Sequence, residues 1–332
     1  MKIVSVNPKS SLPKYKQIVL SVEAAIAENR LKKGDKLPSV NKVSIEFSIS
    51  RDTILLAYNE LKKRGIIYAI LGKGYYVKSV EFSFEKRIFL LFDELNSFKE
   101  DLYNSFLEKI NNTAQIDIFF HHFNAEMFKK LVNDANGNYS KYIIMPTNFV
   151  NASDYIQLLP REDVYILDQT NDGLKEYPAV YQNFEKDIYE SLHKGKHLLD
   201  KYQKLILIFP GFREPLGMKI GFEKFCFDFN FKHQIIEQFT AKTINIGDIY
   251  VIPNDRDLVK VIEQSKIQQL KLGVDFGIIS YNETSLKKIV ENGITTISTD
   301  FEAMGKIIAQ NIIKGTKKQV ENKCNFLIRN SL

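Results

Sequence analysis

The chain has 332 residues, 44% hydrophobic and 26% charged, with a formal net charge of +6. That length supports two or three domains with cores of their own, and no run reaches the roughly 18 apolar residues a bilayer span requires. Cys226 and Cys324 are too few for a disulfide framework and lack metal-site spacing, and the opening Met1-Lys2-Ile3-Val4-Ser5-Val6-Asn7-Pro8 lacks a signal-peptide core, so the expected address is the cytoplasm.

The charge is unevenly placed. Residues 1–80 hold 15 Lys and Arg against 6 Asp and Glu, a net of +9, and the remainder is −3. A basic head on a slightly acidic body fits a head that faces phosphates and a body that does not.

In chain order, residues 12–30 read as a first helix, with Ile18, Val22, Ala25 and Ile26 at spacings of three and four. Leu37-Pro38-Ser39 opens a short helix to about Phe47, and Ser48-Ile49 makes a turn. Ser50 is placed as an N-cap. A second helix runs from Arg51 to about Arg64, with Ile54, Tyr58 and Leu61 at core spacing and Gly65 as its stop. Ile66 to Leu71, the break Gly72-Lys73-Gly74, and Tyr75-Tyr76-Val77 read as strand, tight turn and strand. Together these make a winged helix-turn-helix.

These residues carry a resemblance. Pro13-Lys14-Tyr15-Lys16-Gln17-Ile18, Gly34 to Ser39, Ser50-Arg51-Asp52-Thr53, Gly65-Ile66-Ile67 and Gly72-Lys73-Gly74-Tyr75 stand in order at the spacing of the GntR family of bacterial transcription regulators. The resemblance covers about residues 10–78. It implies DNA contact by Ser50, Arg51, Asp52, Thr53, Gly72 and Lys73. The residue types agree: Arg51 can reach guanine O6 and N7 or a phosphate, and a helix N-terminus favours phosphate. The chain departs from the family at two positions. Asn41 stands where an arginine contact is expected, with Lys42 beside it as the candidate replacement charge, and Leu55 stands where the family often has Arg.

Residues 79–86 read as a short linker. From Arg87 strand-like and helical stretches alternate, as in parallel α/β sheets. Strands are expected at 88–92, 116–120, 142–145, 164–167, 179–181, 205–209, 235–239, 276–280 and 295–298. Helices are expected at 99–112, 125–136, 151–159, 183–199, 215–230, 255–271, 284–291 and 302–314. Two such sets divided near 170–182 suggest two doubly wound lobes. The expected division is a DNA-binding head over 1–78, a linker over 79–86 and a two-lobed body over 87–332. Val164 to Asp168, Ala179 to Asn183, Gly221-Phe222, Asn254-Asp255, Tyr281-Asn282 and Leu327 to Ser331 resemble the periplasmic-binding-protein-like effector domain of LacI-type repressors. The last of these is one residue shorter than the family pattern.

Ligands of open α/β sheets bind beyond the carboxyl ends of strands. The strand-end residues are Asp93, Phe123, Pro146, Asp168, Gln182, Asn183, Arg213, Asn254, Asp255, Asn282, Glu283 and Asp300. Sugar hydroxyls suit carboxylates and amides, with an aromatic face against the ring. The effector candidates are therefore Asp93, Asp168, Arg213, Asn254 and Asn282, with Phe98 or Phe123 as the stacking face. Asp255 is expected to cap the following helix instead. The LacI-type arginine before Gly-Phe is Met218 here, with Lys219 or Arg213 as substitutes.

For an enzyme the chain offers little. It has no phosphate-binding Gly-x-x-x-x-Gly-Lys-Ser/Thr loop, no Gly-x-Ser-x-Gly elbow and no His-Glu-x-x-His. His121 and His122 are adjacent on a strand and point to opposite faces, which disfavours a shared metal. No catalytic residue, metal or cofactor is assigned. The expected protein is a ligand-responsive, homodimeric transcription regulator with operator DNA and a sugar or sugar phosphate as partners and none in a membrane. The alternatives are a DNA-binding head fused to an enzyme and an effector-independent DNA binder.

Overall fold

The computed structural model describes residues 3–10, 12–80, 87–111, 114–149, 151–211, 213–240 and 243–332. The expected linker thus lies largely outside the described residues.

Three helices and a hairpin build the head. Helix α1 (Lys14–Ala27) starts behind Pro13 and buries Ile18, Val22, Ala25 and Ile26. Helix α2 (Val40–Phe47) begins three residues later than the sequence suggests. Leu37 instead donates its N–H to the carbonyl of Tyr75, and the Tyr58 hydroxyl holds the carbonyl of Pro38 at 2.7 Å. Ser39 caps α2, and Ser48 turns the chain at φ +52°. Helix α3 (Arg51–Lys63) is capped by Ser50, which accepts from the Thr53 N–H, and it buries Ile54, Ala57, Tyr58 and Leu61. Strands β1 (Ile67–Ile70) and β2 (Gly74–Val77) pair antiparallel, and Gly72 at φ +73° makes the tight turn between them. One apolar cluster, from Val4 to Val77, holds these elements together.

The first lobe runs through β3 (Arg87–Phe92), α4 (Ser97–Ile110), β4 (Gln115–Phe120), α5 (Ala125–Ala135), β5 (Lys141–Ile144), α6 (Ala152–Ile156), β6 (Val164–Asp168) and β7 (Ala179–Tyr181). The second follows with α7 (Phe184–Lys194), α8 (Lys196–Leu199), β8 (Lys204–Ile208), α9 (Leu216–Asp228), β9 (His233–Ile236), β10 (Asp248–Ile252), α10 (Asp255–Ile267), β11 (Gly277–Tyr281) and β12 (Thr295–Thr299). The chain then returns to the first lobe with α11 (Phe301–Lys314) and β13 (Gln319–Glu321), and ends in the second with β14 (Cys324–Leu327). The first sheet has the order β13-β7-β6-β5-β3-β4 and is parallel throughout. The second has the order β14-β12-β11-β10-β8-β9, with only β14 antiparallel.

Each sheet is covered on both faces, which explains strands that read as unbroken apolar runs. Each lobe also has one close helix crossing that a glycine makes possible. A Cβ on Gly221 of α9 would strike α7 at Glu185 and Ile188, and one on Gly305 of α11 would strike α4 at Leu102 and Ser105.

Several expectations fail. The stretch 284–291 is no α-helix, because Lys287 is pulled inward to the carbonyls of Tyr281 and Asn282, and Glu291 and Asn292 adopt positive φ. The helix over 183–199 breaks at Gly195. The strand expected at 235–239 sits at 233–236, while β10, β13 and β14 add to the expected set. The division between lobes is not one point near 170–182, since residues 301–321 return to the first lobe.

Candidate nucleic-acid interface and ligand cleft

The winged motif puts its polar residues at the start of α3. Arg51 and Asp52 are exposed, and Thr53 is half-buried with its hydroxyl 2.8 Å from that of Ser50. These two hydroxyls therefore serve the helix start as well as any partner. Asn41 and Lys42 are exposed in the first turn of α2, and Gly72 and Lys73 are exposed at the hairpin tip. The Lys73 N–H closes the turn on the Ile70 carbonyl at 3.0 Å, leaving its side chain at the apex.

In the body, both sheets reverse their order next to their first strand, between β3 and β5 and between β8 and β10. The carboxyl ends of the flanking strands face one another across a cavity of about 840 Å³. All seven effector candidates, Asp93, Phe98, Phe123, Asp168, Arg213, Asn254 and Asn282, line it. Their roles differ, however. Asn254 caps α10 by accepting from the Asp257 N–H at 2.9 Å, so the cap expected of Asp255 falls to its neighbour. Asp255 instead pairs with Lys287 at 2.9 Å. Phe98 already lies against Phe301, with centroids 4.7 Å apart, and Phe123 lies under the Arg213 guanidinium at 4.9 Å. Met218 is buried and lines the cavity; Lys219 does not. Of the remaining strand-end residues, Asn183 and Asp300 cap α7 and α11.

The floor in the first lobe is charged and buried. Lys99 and Asp93 form a buried ion pair, and Asp93 also accepts from the Glu94 N–H. Asp168, at φ +73° and 5% exposed, accepts from the Gln182 amide. Burial raises the Asp168 carboxyl above the ordinary range, opposed by Lys99 and assisted by Asp93. The Gln182 carbonyl oxygen has no hydrogen-bond partner among the described residues. A ligand N–H or O–H there would satisfy it. On the second lobe, burial lowers the Lys287 ammonium, and Asp255 opposes that shift.

Besides the Phe123–Arg213 contact, polar contacts already join the lobes at the rim. Arg213 reaches Glu94 at 3.1 Å, and the Asn148 side-chain amide donates to the Glu214 carbonyl at 3.3 Å.

Sequence reasoning missed Lys99, Lys287 and Glu94. Lys99 left a signal, since it lies on the α4 stripe of Leu102, Phe106 and Ile110, where a charge is out of place. Lys287 left none, because its stretch is irregular. Of the histidine pair, His121 is buried with Nε2 3.1 Å from the Met145 carbonyl, and His122 is exposed. Among the described residues no group of three His, Cys, Asp or Glu could hold a metal, and no helix is long and apolar enough to cross a membrane.

Residues 14–77 match the family model described as bacterial regulatory proteins, gntR family. The chain carries a GntR-family head. Over 75 residues it is 35% identical to the HTH-type transcriptional repressor YtrA of Bacillus subtilis (strain 168), a match spanning 23% of this chain and 58% of that protein. The uncharacterized HTH-type transcriptional regulator YydK of the same organism is 25% identical over 212 residues, 63% of this chain and 72% of its own length. The body matches the periplasmic binding protein/LacI transcriptional regulator from Alkaliphilus metalliredigens QYMF, solved with D-xylulofuranose, at a TM-score of 0.58 and 15% identity over 74% of this chain and 98% of that one. The GntR-family head is therefore joined to a body with the LacI-type, periplasmic-binding-protein-like fold.

Proposed function

We propose that this GntR-family chain is an effector-gated regulator of transcription, with a DNA-binding head over residues 1–78, a linker over 79–86 and an effector-binding body over 87–332. The observation that carries this reading is the cleft. Two sheet switch points face each other across it, on a chain whose head has the residues of a DNA reader. Asn41, Ser50, Arg51, Asp52, Thr53, Gly72 and Lys73 contact the duplex, with Arg51 toward base edges and Lys73 toward backbone or minor groove. Two copies bind a pseudo-palindromic operator in the cytoplasm, since a two-fold protein matches a two-fold site.

The effector is a sugar or a sugar phosphate. The mixture of carboxylates, amides and aromatic rings around the cleft supports that class, as does the sugar named with the Alkaliphilus protein. Ligand hydroxyls meet Asp93, Asp168, Asn254 and Asn282. Entry of the ligand rearranges the Arg213–Glu94 rim contact and so changes how the lobes, and the heads they carry, are spaced.

A thermal-shift screen of sugars and sugar phosphates on the full chain tests the effector class. The expected result is a rise in melting temperature with at least one of them. Absence of a shift across the whole set contradicts a sugar effector.

A further inference from the structure

The DNA-facing side of the head carries more aliphatic surface than a phosphate-binding face needs. On α3, Arg51, Asp52, Leu56 and Asn59 are exposed and Leu55 is half-buried, while the opposite face, Ile54, Ala57, Tyr58 and Leu61, is in the core. Helical periodicity places Leu55 and Leu56 one turn beyond Arg51 and Asp52, on the same side. Leu56 is 53% exposed. Isolated exposed leucines are common on protein surfaces. Two in succession on the outward face of the second helix of a helix-turn-helix, in a region of net charge +9, are a different matter. This is the face that such a motif lays in the major groove.

In that groove only thymine offers an aliphatic group, its 5-methyl. Guanine, adenine and cytosine show the groove polar atoms that a leucine cannot satisfy. We infer that Leu55 and Leu56 are specificity residues that read thymine methyl groups, so the preferred half-site carries thymine next to the bases reached by Arg51. The inference rests on the proposed DNA-binding role of the head and adds what the head selects. Each methyl buried against leucine contributes roughly a fourfold gain in affinity. The hairpin tip also carries a leucine, the fully exposed Leu71 beside Gly72 and Lys73, but a wing in the minor groove meets no methyl group.

The test uses the full chain and a pool of duplexes with a randomised core of about 20 base pairs, two helical turns. The tightest retained duplex is then made twice, once with thymine and once with deoxyuridine throughout, which removes only the methyl groups. The inference expects thymine enriched in the half-sites and the deoxyuridine duplex bound about 4- to 16-fold more weakly, for one or two methyl contacts. Leu56→Ala, at an exposed position, should shrink that ratio with the melting temperature unchanged. Leu71→Ala should keep the ratio whatever it does to overall affinity. Equal affinity for the two duplexes overturns the inference and leaves the DNA-binding reading standing. So does an undiminished ratio in the Leu55→Ala/Leu56→Ala double variant. Failure to retain any duplex overturns both.

Discussion

The head and the cleft present charge in opposite ways. In the head, Arg51 and Asn41 stand in solvent on short, capped helices and Lys73 at the tip of the hairpin. In the cleft, Lys99 and Asp93 are 5% and 3% exposed and bound to each other, Asp168 is held by Gln182, and Lys287 is tied to two carbonyls and Asp255. An exposed reader meets its partner with little rearrangement, and its removal touches binding alone. A buried charge network is part of the fold, so its removal touches stability first. The difference teaches that mutations in the two regions should separate binding from folding.

The largest expected effect follows from the buried pair. Lys99→Ala takes the ion-pair partner from the buried Asp93, and the chain should lose about 3–5 kcal/mol of unfolding free energy in a urea titration. Next comes Arg51→Ala. It should weaken operator binding by about 1–3 kcal/mol in an anisotropy titration and leave the melting temperature in place. If Arg51→Ala destabilised the fold as much as Lys99→Ala, the contrast between the regions would fail. Lys73→Ala should act more mildly, lowering affinity for all sequences alike and reducing the salt slope by about 1.

A smaller effect depends on pH. Asp187 on α7 is buried with an Oδ2 that has no hydrogen-bond partner among the described residues, and burial, aided by Glu321, pushes its carboxyl up to about 7. The folded chain therefore keeps a proton there that the unfolded chain releases near pH 4. The stability this supplies is full below about pH 4 and lost as pH rises through 7. Asp187→Asn, neutral at every pH, should melt higher than the parent above pH 7 and flatten the pH profile between 4 and 7. An identical profile in the variant would place the titration elsewhere.

The smallest effect is at the rim. The Arg213–Glu94 pair is partly exposed, so Glu94→Gln should change global stability by less than about 1 kcal/mol. Its consequence should appear in the cleft, as a severalfold change in effector affinity measured by calorimetry. An unchanged affinity would mean that this contact does not tie the lobes.

Legibility followed the same division. The head was nearly complete in the sequence because its signals are local. Ser50 caps, Gly65 and Gly72 take positive φ, and the α3 core stripe repeats at helical spacing. The start of α2 is not legible locally, because a distant partner, the wing carbonyl of Tyr75, claims Leu37. In the body the alternation of strands and helices was readable, and strand ends led to the cleft-lining residues. The run Asp248 to Ile252 has the apolar character of a buried strand, and its signal is local. The short strands β13 and β14 could not be seen locally, since Gln319–Glu321 and Cys324–Leu327 are strands only through partners far away in the chain. The same is true of Lys287, whose burial is decided by the carbonyls of Tyr281 and Asn282.

The central claim is that the cleft controls the head. Its most direct test is a titration of the selected operator duplex with the full chain at one fixed salt concentration, with and without a ligand that stabilises the protein in the thermal-shift screen. Effector gating predicts operator affinities that differ by roughly 5- to 150-fold, the range of common allosteric coupling. The same affinity with and without a saturating, stabilising ligand would contradict it.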